Sequence, residues 1–332
     1  MTARRRPYLI AEIGVNHDGD PARAAAMVRW SAACGFDAVK FQYWIEDELL
    51  SASVPSAPNQ AAVDQRALLR PLELALADLA ELRYLAAELG VDFACTADGE
   101  RALADVLTLR PDFVKVGSGD ADNPWLLDAV AASSLPVVLS VGMATDEEVG
   151  WILRQLEPVE DLTVLHCVSA YPTPLASANV RRVGHLSEMA PGRSVGFSDH
   201  TIGSAAAVAS LALGAVTVEK HVTHDPAAPG PDHTASLPLA DAAAWVDELR
   251  AVQDALGGSA GVDAEAENRS LVRKALYVTH DLAAGSVLGR QDIEPKRPLL
   301  DGIPAHERDA AVGRSPVRDL ATGERLRWSD LG

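Results

Sequence analysis

Residues 195–201 read VGFSDHT and residues 216–237 read VTVEKHVTHDPAAPGPDHTASL, with a helix-like run between them. The first segment has the makings of a buried strand ending in Ser198, Asp199 and His200, and the second of a buried strand ending in Glu219 and His221. Side chains two apart on a strand share a face. Ser198 with His200, and Glu219 with His221, therefore converge on one side, while Lys220 points the other way. Either histidine alone reads as a satisfied core residue. Two neutral imidazoles on adjacent strand ends, flanked by carboxylates, look like a half-filled divalent metal site whose other positions are left to water and substrate.

Working outward, the chain from Tyr8 to about Leu256 alternates short apolar runs with longer Ala/Leu-rich helical patterns, the signature of a parallel sheet. The expected strands are 8–13, 38–42, 92–96, 113–117, 136–140, 163–167, 194–198 and 215–220. Helices are expected at 21–34, 77–89, 100–108, 123–133, 145–156, 178–189, 203–213 and 239–256. Asp20-Pro21, Asn123-Pro124, and Thr145 with Glu148 three residues later give several of them N-terminal signals. About eight strand–helix units in about 250 residues fit a (β/α)8 barrel. A doubly wound open sheet is the alternative, but no Gly-rich dinucleotide turn follows the first strand.

A barrel places its functional residues at the C-terminal ends of the strands. Those ends here carry Glu12, Lys40 with Gln42, Thr96, Lys115 with Ser118, Ser140, His166 with Tyr171, Ser198 with His200, and Glu219 with His221. A core strand has no packing reason to end in Lys or Glu, because an unpaired buried charge is costly. The set as a whole points to a site.

The protein has 332 residues, 48% of them hydrophobic, which suits one large and one small domain. A net charge of −18 argues against a nucleic-acid surface. Of 29 Lys+Arg and 47 Asp+Glu, residues 268–332 hold 11 and 9, leaving 18 and 38 for the rest. The body is strongly acidic and the tail about neutral, which hints at two domains. Cys34, Cys95 and Cys167 have no metal spacing and read as reduced, buried thiols. No apolar run is long enough for a membrane span. The N-terminus MTARRRPYLIAEIG shows no cleavage-like site, so no signal peptide and a cytoplasmic location are expected.

Residues 43–70, rich in Ser, Pro, Asn and Gln, fit no element and read as a long loop over the barrel mouth. Residues 257–268, GGSAGVDAEAEN, read as a linker between a domain at 1–256 and a short β-like one at 269–332. About 60 residues fold alone only marginally, so the small domain is expected to dock on a partner surface.

YLIAEIGVNHDGD, AVKFQ, FVKVGSGD, VLSVGM, VLHCVSAYPTP, VGFSDHT, EKHVTHDPAAPGPDHTASL and EPKRP together resemble the sialic acid (nonulosonic acid) synthase family. The resemblance runs along essentially the whole chain. It implies a (β/α)8 barrel followed by an antifreeze-like SAF domain, and a transferase that condenses phosphoenolpyruvate with an N-acylated mannosamine-type sugar. His200 and His221 then correspond to the ligands of Mn2+ or Mg2+. Lys40, Thr96, Lys115, Ser118, Ser140 and Ser198 fall where the family binds phosphoenolpyruvate. Glu12, Gln42, Asp120, Ser169, Tyr171 and Asp232 fall on the sugar side, and Arg297 corresponds to an arginine lent across a homodimer by the exchanged SAF domain. Catalytic roles fall to Glu12, Lys40, Lys115, Tyr171 and Glu219, with Glu12 the candidate for proton transfer; its alternative role is a structural salt bridge to Lys40 or Lys115.

The chain also departs from the family pattern. Cys95-Thr96-Ala97-Asp98 stands where Ser-Thr-Pro-Phe is usual, Asp120 where Glu is usual, and Ser169 where Asn is common. PLLDGIP (298–304) replaces a Gly-containing turn. The departures at Asp120, Ser169 and 298–304 point to a sugar other than N-acetylmannosamine. Two other readings are a 3-deoxy sugar acid synthase acting on a phosphorylated aldose, which would want an extra Arg/Lys cluster not found among the strand ends, and a non-catalytic sugar-binding relative, which would not need Glu12, both lysines and both histidines.

Overall fold

The structure, a computed structural model, describes residues 6–51, 65–256 and 265–332. Strands β1 (Tyr8–Gly14), β2 (Ala38–Trp44), β3 (Asp92–Asp98), β4 (Phe113–Val116), β5 (Val137–Ser140), β6 (Leu162–His166), β7 (Ser194–Asp199) and β8 (Thr217–Thr223) pair in parallel in sequence order. β8 returns to β1 with Glu12 opposite His221, which closes the barrel. A two-residue β9 (Leu237–Pro238) adds to the end of β8.

Helix α1 (Pro21–Ala33) follows β1; α2 (Glu46–Leu49), α3 (Gln65–Leu69) and α4 (Leu76–Leu89) follow β2. Then come α5 (Glu100–Thr108), α6 (Pro124–Ala132), α7 (Asp146–Gln155), α8 (Arg182–Met189), α9 (Ala205–Ala212) and α10 (Leu239–Ala255), one after each of the remaining strands. Their starts are chemically marked. Asp20 accepts the Ala22 N–H at 2.9 Å, and Thr145 and Glu148 form a reciprocal capping box, each such cap contributing about 1 kcal/mol.

Inside the barrel, Ile10, Ala38, Ala94, Phe113, Val138 and Leu165 form an apolar plug, while outward side chains of the same strands pack under the helices. One inward step further along most strands the side chains turn polar, so the plug is the floor of a cavity. Gly196 lies in this inner set, where a Cβ would meet Thr217 O at 2.4 Å and Leu165 Cδ2 at 2.5 Å. Only glycine lets the backbones of β7 and β8 and the plug approach so closely.

The chain divides into two compact units, 1–256 and 257–332. In the second, α11 (Ala266–Val272) leads into an antiparallel pair, β10 (Ala275–Val278) and β11 (Ile293–Lys296), followed by α12 (Arg308–Ala311). Its core is small, built on Leu276, Val278, Leu288, Ile293, Ile303 and Leu326. Among the described residues no helix is long and apolar enough to cross a membrane.

Two expectations need correction. Residues 43–70 are not structureless where described: β2 runs on to Trp44, and α2, α3 and a 3-10 turn (Arg70–Leu72) follow. Glu46 gathers Arg66 and Arg70 at 2.8–3.1 Å, and Glu48 accepts the N–H groups of Arg101 and Ala102 at the start of α5. Helices of four or five residues show no period, and these are held by contacts distant in sequence. Residues 52–64, and 257–264 of the expected linker, lie outside the described residues, while Ala266, Glu267 and Asn268 belong to α11 rather than to a linker.

Candidate active site

Lys40, on β2, is 2% exposed and sits 2.6 Å from Glu12 Oε2 on β1, donates to Thr96 Oγ1 on β3 at 2.9 Å, and lies 3.8 Å from Glu219 on β8. Gln42 Nε2 donates to the other Glu12 oxygen at 2.7 Å. Two strands further on, Lys115 is 3% exposed and donates to Ser140 Oγ and to the Val116 carbonyl, both at 2.9 Å. Ser198 Oγ donates to Glu219 Oε1 at 3.1 Å. The strand period puts all of these on the inner face. Asp199 and Lys220 face outward and pair with each other at 2.9 Å.

Burial raises Glu12 to about 7, with Glu219 adding to the rise and Lys40 opposing it. Glu219 is also buried, but Lys40 and Lys115 outweigh that and hold it below the usual carboxylate range. Burial lowers Lys115, whereas at Lys40 it is outweighed by Glu12 and Glu219 and the net shift is upward. The cavity thus holds two lysines, with Glu219 firmly ionised among its carboxyls and Glu12 changing protonation near neutrality. The Glu12–Lys40 salt bridge foreseen as an alternative is present, yet Glu12 also lines the cavity and can serve both roles.

His200 and His221 have ring centroids 5.4 Å apart, and Tyr171 lies over both at 4.2 and 5.8 Å. His200 Nδ1 is 2.8 Å from the Val168 carbonyl, which can only accept, so Nε2 keeps its lone pair. Burial depresses both histidines, and His200 depresses His221 further, so both are neutral at physiological pH. Among the described residues His221 Nδ1 and Glu219 Oε2 are buried without a hydrogen-bond partner, and Asp232 stands 3.6 Å from His221 Nδ1. This donor set fits a weakly held divalent cation with two protein nitrogens. Among the described residues no group of three or more ligating side chains stands ready to hold one, which leaves the other positions to substrate and water.

A cavity of about 380 Å³ is lined by Glu12, Lys40, Gln42, Thr96, Lys115, Ser118, Ser140, Ser169, Tyr171, Ser198, His200, Glu219 and His221. Gly142 keeps part of it open: a Cβ there would lie 2.6–2.8 Å from Cys167 Sγ, Ser118 Oγ and Ser169 Oγ. Three expected residues lie elsewhere. Asp120 lines an adjoining cleft with Glu48, Asp232 sits behind His221, and Arg297 lines a groove in the C-terminal unit with Arg269, Arg273 and Lys274. His166, read as a strand end beside the site, is an outward residue: its Nε2 meets the Ala178 carbonyl at 2.9 Å and its ring packs on Phe197.

The cavity residues that were missed include Asp98 and Cys167. Asp98 lines the wall between the cavity and the cleft, and Cys167 approaches Ser118 Oγ at 3.1 Å. The alternation that makes Thr96 inward makes Asp98 inward too, so the signal existed. Alternation from inward Leu165 makes Cys167 inward in the same way.

The arrangement of buried lysines, clustered hydroxyls and paired neutral histidines on a parallel barrel has a counterpart in known proteins. Residues 27–260 match the NeuB family model, and residues 273–332 match the SAF domain. The chain belongs to the NeuB family. It is a nonulosonic acid synthase, of an enzyme family that condenses phosphoenolpyruvate. It is 32% identical to the N,N'-diacetyllegionaminic acid synthase of Legionella pneumophila, over 98% of this chain and 94% of that protein. It is 34% identical to the N-acetylneuraminate-9-phosphate synthase of Mus musculus over 75% of this chain and 71% of that one. A spore coat polysaccharide biosynthesis protein E from Chromobacterium violaceum shares the fold, with a TM-score of 0.83 at 24% identity over 98% of this chain and 99% of that one. For this NeuB-family chain, the barrel and the small antiparallel unit therefore follow family architecture.

Proposed function

We propose that the protein condenses phosphoenolpyruvate with an N-acylated mannosamine-type sugar and releases phosphate, giving a 2-keto-3-deoxy acid. The observation that carries this reading is the pair of nearly buried lysines, Lys40 and Lys115, facing one cavity amid Thr96, Ser118, Ser140 and Ser198. Two cations among hydroxyls suit a compact phosphate- and carboxylate-bearing anion.

In this reading C3 of phosphoenolpyruvate attacks the aldehyde carbon, water adds at C2, and phosphate leaves by C–O cleavage. Lys40 and Lys115 hold the anion and stabilise charge as it develops. Glu12, held near 7 between Lys40 and Gln42, moves the proton at its carboxyl oxygens. Glu219 keeps Ser198 oriented, and Tyr171 covers the histidines. A divalent cation, Mn2+ or Mg2+, held by His200 and His221 would polarise the sugar's carbonyl.

The departures at Asp120, Ser169 and residues 299–301, with the likeness to a diacetyllegionaminic acid synthase along nearly the whole chain, favour a 2,4-diacylamino 6-deoxy hexose as the sugar. Arg297 is assigned to the partner's sugar in a homodimer with exchanged SAF domains. One observation favours a second reading, a phosphorylated sugar. Arg297 shares its groove with Arg269, Arg273 and Lys274, and among the described residues none of the four has a carboxylate partner.

The test is phosphate release on mixing protein, Mn2+, phosphoenolpyruvate and one sugar at a time. The proposed reading expects release with the diacylamino sugar to exceed that with N-acetylmannosamine and with its 6-phosphate. A preference for N-acetylmannosamine refutes the diacylamino assignment, and a preference for the phosphate favours the second reading.

A further inference from the structure

Asp98 ends β3, one inward step beyond Thr96, and lines the same cavity as Lys40 and Lys115. Every other carboxylate there is engaged: Glu12 by Lys40 and Gln42, Glu219 by Ser198. The Asp98 carboxyl has no hydrogen bond and no ion pair among the described residues. It also opens into the adjoining cleft with Asp120, Glu48 and Glu100. Glu48 is occupied at the start of α5, and Asp120 accepts from Asn123 at 3.0 Å.

An unpaired carboxylate in the wall of an anion-binding cavity is an electrostatic contradiction. The groups that face it are Lys40 on β2 and Lys115 on β4, which favour its ionised form, and Asp120 after β4, which opposes it. Glu12 on β1 lines the same cavity, and Glu48 on α2 and Glu100 on α5 line the cleft behind. Burial, then Asp120, raise Asp98 to about 7 before any ligand arrives. Phosphoenolpyruvate would engage the two lysines that now favour ionisation and add negative charge of its own. Both changes push the carboxyl further toward its protonated form.

Building on the phosphoenolpyruvate site assigned above, we propose that Asp98 takes up a proton from solvent when phosphoenolpyruvate binds and faces the bound substrates as a neutral hydrogen-bond donor. The residue is then a proton-linked part of the binding site. It lets one cavity carry an acidic side chain toward the sugar without repelling the anion. An amide imitates the protonated carboxyl in shape and donor capacity but cannot titrate, so Asp98→Asn separates the two properties.

The experiment is calorimetric titration of the metal-loaded protein with phosphoenolpyruvate at about pH 7.5, in two buffers of different ionisation enthalpy. Wild type should take up protons, and Asp98→Asn should take up fewer, by as much as about one per site. The variant should bind within about threefold of wild type at pH 6.5. Between pH 6.5 and 8.5 it should lose part of the weakening that wild type shows, which approaches about tenfold per unit for one required proton. Titration of the ligand's own phosphate is common to both proteins and cancels in the difference. Asp98→Ala, which has neither proton nor donor, should match Asn in uptake but bind more weakly. Equal uptake by wild type and Asn overturns the proposal and leaves the phosphoenolpyruvate site standing, as does an Asn variant weakened more than about tenfold at every pH. A wild type that does not bind phosphoenolpyruvate overturns both.

Discussion

Lys40 and Lys220 are both nearly fully buried, and both pair with a carboxylate on the adjacent strand, at 2.6 Å to Glu12 and 2.9 Å to Asp199. By composition and burial they are the same feature. They differ in which face of the barrel they occupy. Lys220 points outward, where Asp199 and the Thr201 carbonyl satisfy it, and Asp199 in turn accepts the Thr201 N–H and hydroxyl. Lys40 points inward onto a cavity, beside Glu219, whose Oε2 has no hydrogen-bond partner among the described residues. A closed network holds the end of β7 in place; an open one is ready for a substrate. The comparison suggests reading a buried ion pair by what its atoms still lack.

If the inward face is the reactive one, the metal proposed for His200 and His221 is the most sensitive point. Chelation should abolish turnover, and His221→Ala should weaken Mn2+ binding measured by titration; full activity in metal-free protein would break the comparison. The outward pair should show its importance in stability. Lys220→Ala leaves Asp199 charged and buried, and should cost about 3–5 kcal/mol by denaturant unfolding. The folded fraction should keep a wild-type KM for phosphoenolpyruvate.

Lys40→Ala and Lys115→Ala should reverse that pattern, raising the KM for phosphoenolpyruvate by roughly 10-fold or more as a charge-assisted contact of about 1.5–3 kcal/mol is lost. An unchanged KM in both variants would remove the distinction between the two faces. A test of Arg297 extends the comparison to the second unit. If Glu12→Gln and Arg297→Ala are each inactive, co-expressing them should restore about a quarter of wild-type activity, since about half the dimers are mixed and each has one intact site. A mixture as inactive as its parents would place Arg297 in its own chain's service.

The smallest effect concerns pH. Glu12 lies near 7 in the folded protein against an ordinary 4.5, so the folded state binds a proton that the unfolded chain releases between those values. Its contribution to stability is complete below about 4.5 and is lost as pH rises through about 7. Glu12→Gln should flatten the stability profile across that window.

Much of this was legible in the chain itself. Alternation of apolar runs and helical patterns determines the eight strands, and the period of two determines that Ser198, His200, Glu219 and His221 share a face that Lys220 does not. Both are local properties of the backbone, so they can be read from neighbouring residues. Past the end of a regular strand that rule lapses. Asp120 turned into a side cleft, whereas Cys167, two residues past inward Leu165, still obeys it and enters the cavity while His166 faces out. The role of residues 46–50 and 65–72 depended on Glu46 meeting Arg66 and Arg70, twenty or more positions away. Only the tertiary structure decides such matters, because they depend on which partners the closed barrel brings within hydrogen-bond range. The same holds for Asp98: the chain shows a carboxyl two residues past Thr96, and the fold leaves it, among the described residues, unpaired beside two lysines.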